Sequence, residues 1–320
     1  MNAAVVDSFD QPPRFTTFAD PVPAEGEVLI HVLAAGLHPI VRALANGTHY
    51  GSAGVLPFIP GVDGVGRLSD GSRVYFGVSR SPFGSFAERA VTQPWLCLPL
   101  PDQLESETVA AMTNPAMSSW AALHVRAQFV AGESVLVLGA TGIAGHLAVQ
   151  IAKRLGARSV VAAGRNPQSL ATLKELGADE VISLEQEPAA LVESFRRHIA
   201  AGAADVVLDY LWGPPAESLL RAIAQKGLSH TASRIRYVQV GDTAGKTISL
   251  PGATLRSSGL ELLGSGFGSA SLQQIMQSVR EFHIEAAKKP FQVPVKTAAL
   301  SAIAELWNTG ERNERLVFQP

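Results

Sequence analysis

Apolar and polar positions follow two different patterns along the chain. The first third carries short β-type runs, Ala3 to Asp7, Val28 to Ala34, Val62 to Leu68, Val74 to Phe76 and Phe86 to Val91, broken up by Pro and Gly. Ser69-Asp70-Gly71-Ser72 marks a turn between two of them. This part reads as an irregular, mostly-β domain. From about residue 119 the pattern changes to strands of about five residues alternating with amphipathic helices, the signature of βαβ units around a parallel sheet.

Val135 to Leu138 is all apolar, as a parallel strand covered on both faces requires, and leads into Gly139-Ala-Thr-Gly-Ile-Ala-Gly145. The helix that follows repeats Leu147, Ile151 and Leu155 along one side and meets Gly156 at its expected end. A strand at Ser159 to Ala163 precedes a helix capped by Asn166, opened by Pro167, lined by Leu170, Leu173 and Leu176, and stopped at Gly177. Later strands are expected at Glu180 to Ser183, Val206 to Asp209, Tyr237 to Val240 and Glu261 to Leu263, with helices at Leu191 to Ile199 and Glu217 to Ala224. After Gly268 come a helix from Leu272 to Glu285, Val293 and Val295, a short helix near Leu300 to Trp307 and a strand at Arg315 to Phe318. With this tail assigned to the first domain, the predicted division is 1–118 with 270–320, and 119–269. The fold class is α/β, a doubly wound parallel sheet beside a discontinuous mostly-β domain.

Composition narrows the function. Of 320 residues 47% are hydrophobic and 17% charged, and 26 basic against 28 acidic side chains leave a net charge of −2. With no block of like charge, neither nucleic acid nor an anionic membrane is an expected partner. The single cysteine, Cys97, excludes an intramolecular disulfide and a cysteine-rich metal site, and points to a reducing compartment. The first residues carry neither the basic nor the apolar region of a signal peptide, so a cytoplasmic protein is expected.

The glycine-rich turn supplies candidate chemistry. Gly142 and Gly145 hold the last two places of a G-x-G-x-x-G spacing, with Ala140 at the first, between a strand and a helix. Such a turn brings backbone amides at a helix start up to a dinucleotide diphosphate, implicating Thr141, Gly142, Ile143 and Ala144. The next strand ends in Ala162-Ala163-Gly164-Arg165-Asn166, without the acidic residue that would hold the ribose 2′-hydroxyl of NAD. Arg165 offers a forked cation and Asn166 a neutral donor, so the predicted cofactor is NADPH, bound through Gly164, Arg165 and Asn166. The competing reading of Arg165 is a solvated loop residue.

Taken in order, Ala34-Ala-Gly-Leu-His-Pro39, Leu56-Pro-Phe-Ile-Pro-Gly-Val-Asp-Gly-Val-Gly66, Asn114-Pro-Ala-Met-Ser-Ser-Trp120, the glycine turn, Leu176-Gly-Ala-Asp179 and Leu208-Asp-Tyr-Leu-Trp-Gly213 resemble the medium-chain dehydrogenase/reductases, and among them the zinc-independent quinone oxidoreductases. The resemblance spans essentially the whole chain. It implies a GroES-like catalytic domain, a Rossmann domain and a cofactor in the cleft between them. Where zinc-dependent relatives place Cys, His, Glu and a second Cys, this chain has His38, Val62, Asp63 and Asn114. Two ligand-capable side chains fall short of the three that a catalytic zinc needs, so no metal is expected.

Chemistry without a Lewis acid suits an acceptor that takes hydride readily, a quinone or an α,β-unsaturated carbonyl (enone or enal), helped by one donor near its oxygen. The resemblance nominates His38 and Tyr50 as donors. The competing readings are a Tyr50 packed on its loop and a His38 bonded to backbone. It also implies cofactor contacts from Asn114 and Ser118, from Tyr210, Leu211 and Trp212 beside the adenosine or ribose, and from Val240, Gly241, Gly264, Ser265, Gly266 and Phe267 beside the nicotinamide. A homodimer paired through the last strand of the parallel sheet is expected from the same likeness. Alternative functions are an enoyl-thioester reductase and an NADPH-binding sensor or structural protein with little turnover.

Overall fold

The computed structural model describes residues 1–52, 54–224, 233–309 and 314–320. The chain divides into two compact units, 1–115 with 280–320, and 116–279.

In the first unit, β1 (Asn2–Val5) and β2 (Arg14–Thr17) form an antiparallel pair. β3 (Val28–Gly36), α1 (Pro39–Ala45), β4 (Asp63–Arg67), β5 (Arg73–Gly77), β6 (Arg89–Thr92), β7 (Cys97–Pro99) and the helix α2 (Ser106–Ala121) follow, the unit boundary falling inside α2.

The second unit contains β8 (Ser134–Leu138), α3 (Ile143–Arg154), β9 (Ser159–Gly164), α4 (Pro167–Glu175), β10 (Glu180–Ser183), α5 (Pro188–Ala200), β11 (Val206–Asp209), α6 (Gly213–Ile223), β12 (Arg234–Gln239), α7 (Gly252–Arg256) and β13 (Gly259–Gly264). Within α8 (Leu272–Lys288) the chain returns to the first unit, which ends with β14 (Val295–Ala299), α9 (Ile303–Leu306) and β15 (Arg315–Gln319).

The first unit's larger sheet runs β14-β15-β3-β4-β5-β7, with β6 also against β3. Only β14 and β15 pair in parallel there. Its core joins the two ends of the sequence: Phe86 meets Trp307 and Phe318 edge-on at centroid distances of 6.5 and 5.6 Å, among Val6, Leu37, Val41 and Ile303. Each such large apolar side chain contributes about 1.5–3 kcal/mol on burial, which is why the tail folds back onto residues some 230 positions earlier.

The second unit's sheet is fully parallel, in the order β10-β9-β8-β11-β12-β13. Every residue of β8 is buried, as its unbroken apolar run requires. Register aligns Ala163, Leu138, Asp209, Gln239 and Gly264 in one row across the carboxyl ends of five strands. Asn166 caps α4, its side-chain oxygen accepting from the Ser169 amide at 2.8 Å, and Gly177 takes a φ of +115° where that helix has stopped.

Several elements differ from the sequence expectation for identifiable reasons. The strand expected over Phe86 to Val91 begins at Arg89, because Phe86 and Ala87 pair instead with Ala4 and Ala3 of β1. α6 starts at Gly213 rather than Glu217, Pro214 and Pro215 occupying a first turn where a missing amide costs nothing. The strand expected from Tyr237 to Val240 starts at Arg234 and stops at Gln239. Arg236 hides its early part from a hydropathy pattern, being buried only because its guanidinium donates to the Ala127 carbonyl at 2.8 Å and pairs with Glu133. No described helix is long and apolar enough to cross a membrane.

Candidate dinucleotide site and buried polar cluster

Five of the segments nominated from sequence lie at the same edge of the parallel sheet, each directly after a member of the aligned row: the glycine turn after Leu138, Gly164 to Asn166 after Ala163, Tyr210 to Trp212 after Asp209, Val240 and Gly241 after Gln239, and Ser265 to Phe267 after Gly264. In doubly wound sheets ligands collect outside the carboxyl ends of the strands, where the strand order reverses. Here that point lies between β8 and β11.

The turn is built for close approach. The Gly139 and Ala140 amides both donate to the Ala163 carbonyl at 2.9 Å, tying the turn to β9. A Cβ on Gly145 would overlap the Gly139 carbonyl and the Ala140 backbone, so only glycine lets α3 start this close to β8. A Cβ on Gly164 would run into the Thr141 side chain, so Thr141 closes the turn against the end of β9. A Cβ on Gly142 would make only ordinary contact, with the Gly139 carbonyl oxygen at 3.9 Å, and Gly142 is the N-cap of α3 with no side-chain cap. Uncapped amides at a helix start favour an anion. Arg165 is exposed and makes no hydrogen bond or ion pair with a described residue, leaving its guanidinium to a ligand. A dinucleotide phosphate fits this set of donors. Asn166 commits its side-chain oxygen to capping α4, leaving only its amide nitrogen to donate.

The loops after β11 to β13 are interlocked. The fully buried Asp209 accepts from the amides of Leu211 (2.7 Å) and Trp212 (3.0 Å) and from the Tyr237 hydroxyl (2.7 Å). Its own carbonyl accepts from the Val240 and Gly241 amides at 2.7 and 3.1 Å. Burial raises the Asp209 pKa and these donors oppose the rise. Tyr210 turns inward, its hydroxyl 2.8 Å from Ser119 Oγ and also bonded to Ser118. Leu211 and Trp212 pack partly buried against the core, the Trp212 ring edge-on to Tyr237 at 6.4 Å. Phe267, by contrast, is 48% exposed. Arg126 secures its segment by donating to the carbonyls of Gly264 and Ser269 at 2.7 and 2.9 Å.

In the first unit, His38 and Tyr50 stand in different environments. Tyr50 is 74% exposed and stacked on His49, ring centroids 4.2 Å apart. His38 is 1% exposed, its ring close to the Ala110 carbonyl and to Asp63, and among the described residues no hydrogen bond joins it to Tyr50. His38 Nε2 lies 3.5 Å from Asp63 Oδ1, while Asp63 Oδ2 accepts from the Tyr75 hydroxyl at 2.9 Å. Burial pushes the Asp63 carboxyl up to about 7, against the lowering by Tyr75 and Arg315. His38 is pushed well below its usual value by burial and by the Arg315 cation, the Ala110 carbonyl acting the other way. Arg315, itself lowered by burial to about 10, donates to the Leu37 carbonyl at 2.8 Å. Next to Tyr75, edge-on at 5.4 Å, the buried His283 pairs with Thr113 at 2.9 Å and is lowered to about 4.

Zinc does not fit these residues. Val62 packs against the core, and among the described residues no three His, Cys, Asp or Glu side chains converge as a metal would need. Asn114 lies on α2 in the first unit and Ser118 on α2 in the second. Cys97, half-buried with its thiol pushed up to about 11, is no nucleophile at neutral pH.

Sequence reasoning singles out neither the side chain of Asp209 nor Tyr237, Ser119, Arg126, Tyr75 and Arg315. Asp209 stands inside the Leu208–Gly213 motif, but periodicity says nothing of partners 28 residues away. Nothing in the local pattern around Arg126 or Arg315 marks them.

The fold and the arrangement of its strand-end loops are those of a dinucleotide-binding oxidoreductase, and the chain resembles the medium-chain dehydrogenase/reductases, the quinone oxidoreductases among them. The sequence profile of the zinc-binding dehydrogenase family matches residues 144–281. A probable NADPH-dependent quinone reductase of Emericella nidulans is 28% identical over 362 aligned positions covering all of both chains. An NADPH-dependent alkenal/one oxidoreductase of Arabidopsis thaliana is 32% identical over 179 residues, 51% of this chain and 46% of its own. The quinone oxidoreductase of Thermus thermophilus, solved also in complex with NADPH, superimposes over the full length of both chains with a TM-score of 0.80 at 28% identity.

Proposed function

We propose that the protein is an NADPH-dependent reductase that passes hydride to a quinone or an α,β-unsaturated carbonyl without zinc. The observation that carries this reading is the pairing of an uncapped α3 start, approached through Gly142 and Gly145, with the exposed Arg165 just past a strand end that has no acid. The activities for which the relatives in Emericella nidulans and Arabidopsis thaliana are named point the same way.

Bound NADPH supplies the hydride. The amides at the start of α3 hold the diphosphate, and the Arg165 fork holds the 2′-phosphate by charge-assisted hydrogen bonds. The loop after β11 flanks the adenosine or ribose and those after β12 and β13 border the nicotinamide, Asn114 and Ser118 of α2 being the further cofactor contacts that the resemblance implies. Hydride arrival leaves negative charge on the acceptor oxygen, which a donor must stabilise. His38 and Tyr50 are the candidate donors, His38 buried and Tyr50 open to solvent. A second copy pairs along β13, an edge strand with Leu262 39% exposed, and one unpaired cysteine suits the cytoplasm.

Steady-state oxidation of NADPH across a panel of quinones, enones and enals tests the reading. Turnover with at least one class, undiminished by chelator and without stoichiometric zinc by elemental analysis, is expected. NADPH binding without turnover of any acceptor makes the protein a cofactor-binding one instead, and zinc needed for activity contradicts the proposed chemistry.

A further inference from the structure

We propose that the Asp209 carboxylate, anchored by Tyr237, is a positioning residue that sets two strand-end loops flanking the dinucleotide, one beside its adenosine or ribose and one beside its nicotinamide. The proposal rests on the NADPH reading above and adds a residue that touches no ligand itself.

One side chain and one peptide group shape both loops. Asp209 Oδ1 takes the amides of Leu211 and Trp212, Oδ2 takes the Tyr237 hydroxyl from the neighbouring strand, and the Asp209 carbonyl takes the amides of Val240 and Gly241. The loops are then clasped to each other. The Leu211 carbonyl accepts from the Ala244 amide at 2.8 Å, the Tyr210 carbonyl accepts from the Thr243 hydroxyl at 3.0 Å, and a Cβ on Gly241 would stand 2.8 Å from the Tyr210 carbonyl oxygen.

The backbone shows what this clasp holds in place. Trp212 has φ 55° and ψ −160°, a region adopted almost only by glycine, and persists there with its amide on Asp209 and its ring against Tyr237. A residue held in such a conformation costs stability, and strain of this kind collects where a loop must keep one shape for a ligand. A buried carboxylate is costly as well, yet a hydrophobic residue of similar size would leave the Leu211 and Trp212 amides and the Tyr237 hydroxyl without acceptors. The fold keeps Asp209 because those donors need it.

Topology sets which part of the ligand meets which loop. Arg165 follows β9, on one side of β8, and the loops organised by Asp209 follow β11 and β12, on the other. A dinucleotide laid across the α3 start meets Arg165 with its 2′-phosphate, the β11 loop with its adenosine or ribose and the β12 loop with its nicotinamide. Asp209 therefore bears more on NADPH, which meets both loops, than on adenosine 2′,5′-bisphosphate, a fragment that carries only the phosphorylated adenosine.

The test is to titrate both ligands into the full-length wild type and into D209A, D209N, Y237F and V207A, well below each melting temperature. Val207 is a buried neighbour on β11 that touches none of the loop amides, so V207A controls for simple loss of packing. We expect D209A to weaken NADPH about tenfold or more and adenosine 2′,5′-bisphosphate clearly less, about threefold. D209N keeps an oxygen for the two amides and should stay within about threefold, and Y237F should fall between the two. Should D209A fail to fold, the contrast between Y237F and V207A decides. Unchanged NADPH affinity in the Asp209 and Tyr237 variants, or equal loss for both ligands and in V207A, overturns the positioning role. Failure of the wild type to bind NADPH overturns the functional reading itself.

Discussion

Each unit of the molecule buries an aspartate against a tyrosine hydroxyl, and the two pairs serve different ends. Asp209 in the second unit meets Tyr237 at 2.7 Å and two backbone amides besides, so both carboxylate oxygens are used. Asp63 in the first unit meets Tyr75 at 2.9 Å, while its other oxygen has no hydrogen bond among the described residues and lies 3.5 Å from His38 Nε2. A saturated carboxylate fixes geometry. One left with a free oxygen is not held in that way, and burial pushes the Asp63 carboxyl up to about 7.

The largest expected effect comes from removing the charge of Asp63. Its folded pKa of about 7 lies above the usual 3.8, so the folded state holds more protons across that interval and stability falls as pH rises through it. Asp63→Asn does not titrate. Denaturant unfolding should show the variant gaining on the wild type by up to about 4 kcal/mol between pH 4 and pH 8. A constant difference across that range would mean that Asp63 is not buried in the way described.

His283, under the Tyr75 ring, has the opposite sign. With its folded pKa lowered from 6.5 to about 4, it binds fewer protons folded than unfolded, so stability is lost as pH falls through that window. His283→Asn should gain on the wild type by about 3 kcal/mol between pH 7 and pH 4. An unchanged acid limb in the unfolding profile would refute this.

A smaller effect separates the two tyrosines. The Tyr75 hydroxyl lowers the Asp63 pKa, so Tyr75→Phe should raise the Asp63 midpoint by about one pH unit, read by carboxyl-carbon NMR. Tyr237→Phe leaves Asp209 its two amide donors and should move the Asp209 midpoint upward by less. Equal shifts would erase the distinction between the saturated pair and the open one.

What can be read from the sequence follows the same divide. The β8 to α3 turn is legible because a run of apolar residues, a glycine spacing and a helical stripe all sit close together, and Asn166-Pro167 announces α4 in two residues. α2 is not, since its Ser-Glu-Thr-Val-Ala-Ala-Met start is mostly small residues with no apolar stripe and Pro115 interrupts it. Neither Asp–Tyr pair is visible, because register and topology rather than local pattern bring Asp63 to Tyr75 and Asp209 to Tyr237. The environments of His38 and Tyr50 are equally hidden: one residue type suited to donate a hydrogen bond is sealed inside and the other lies open to solvent.

Isothermal titration calorimetry of NADPH and NADH into the wild type and Arg165→Ala tests the account most directly. The wild type should bind NADPH more tightly, and losing the guanidinium should cost NADPH about 10- to 100-fold while leaving NADH nearly unchanged. A wild type that binds both equally, or prefers NADH, would contradict it.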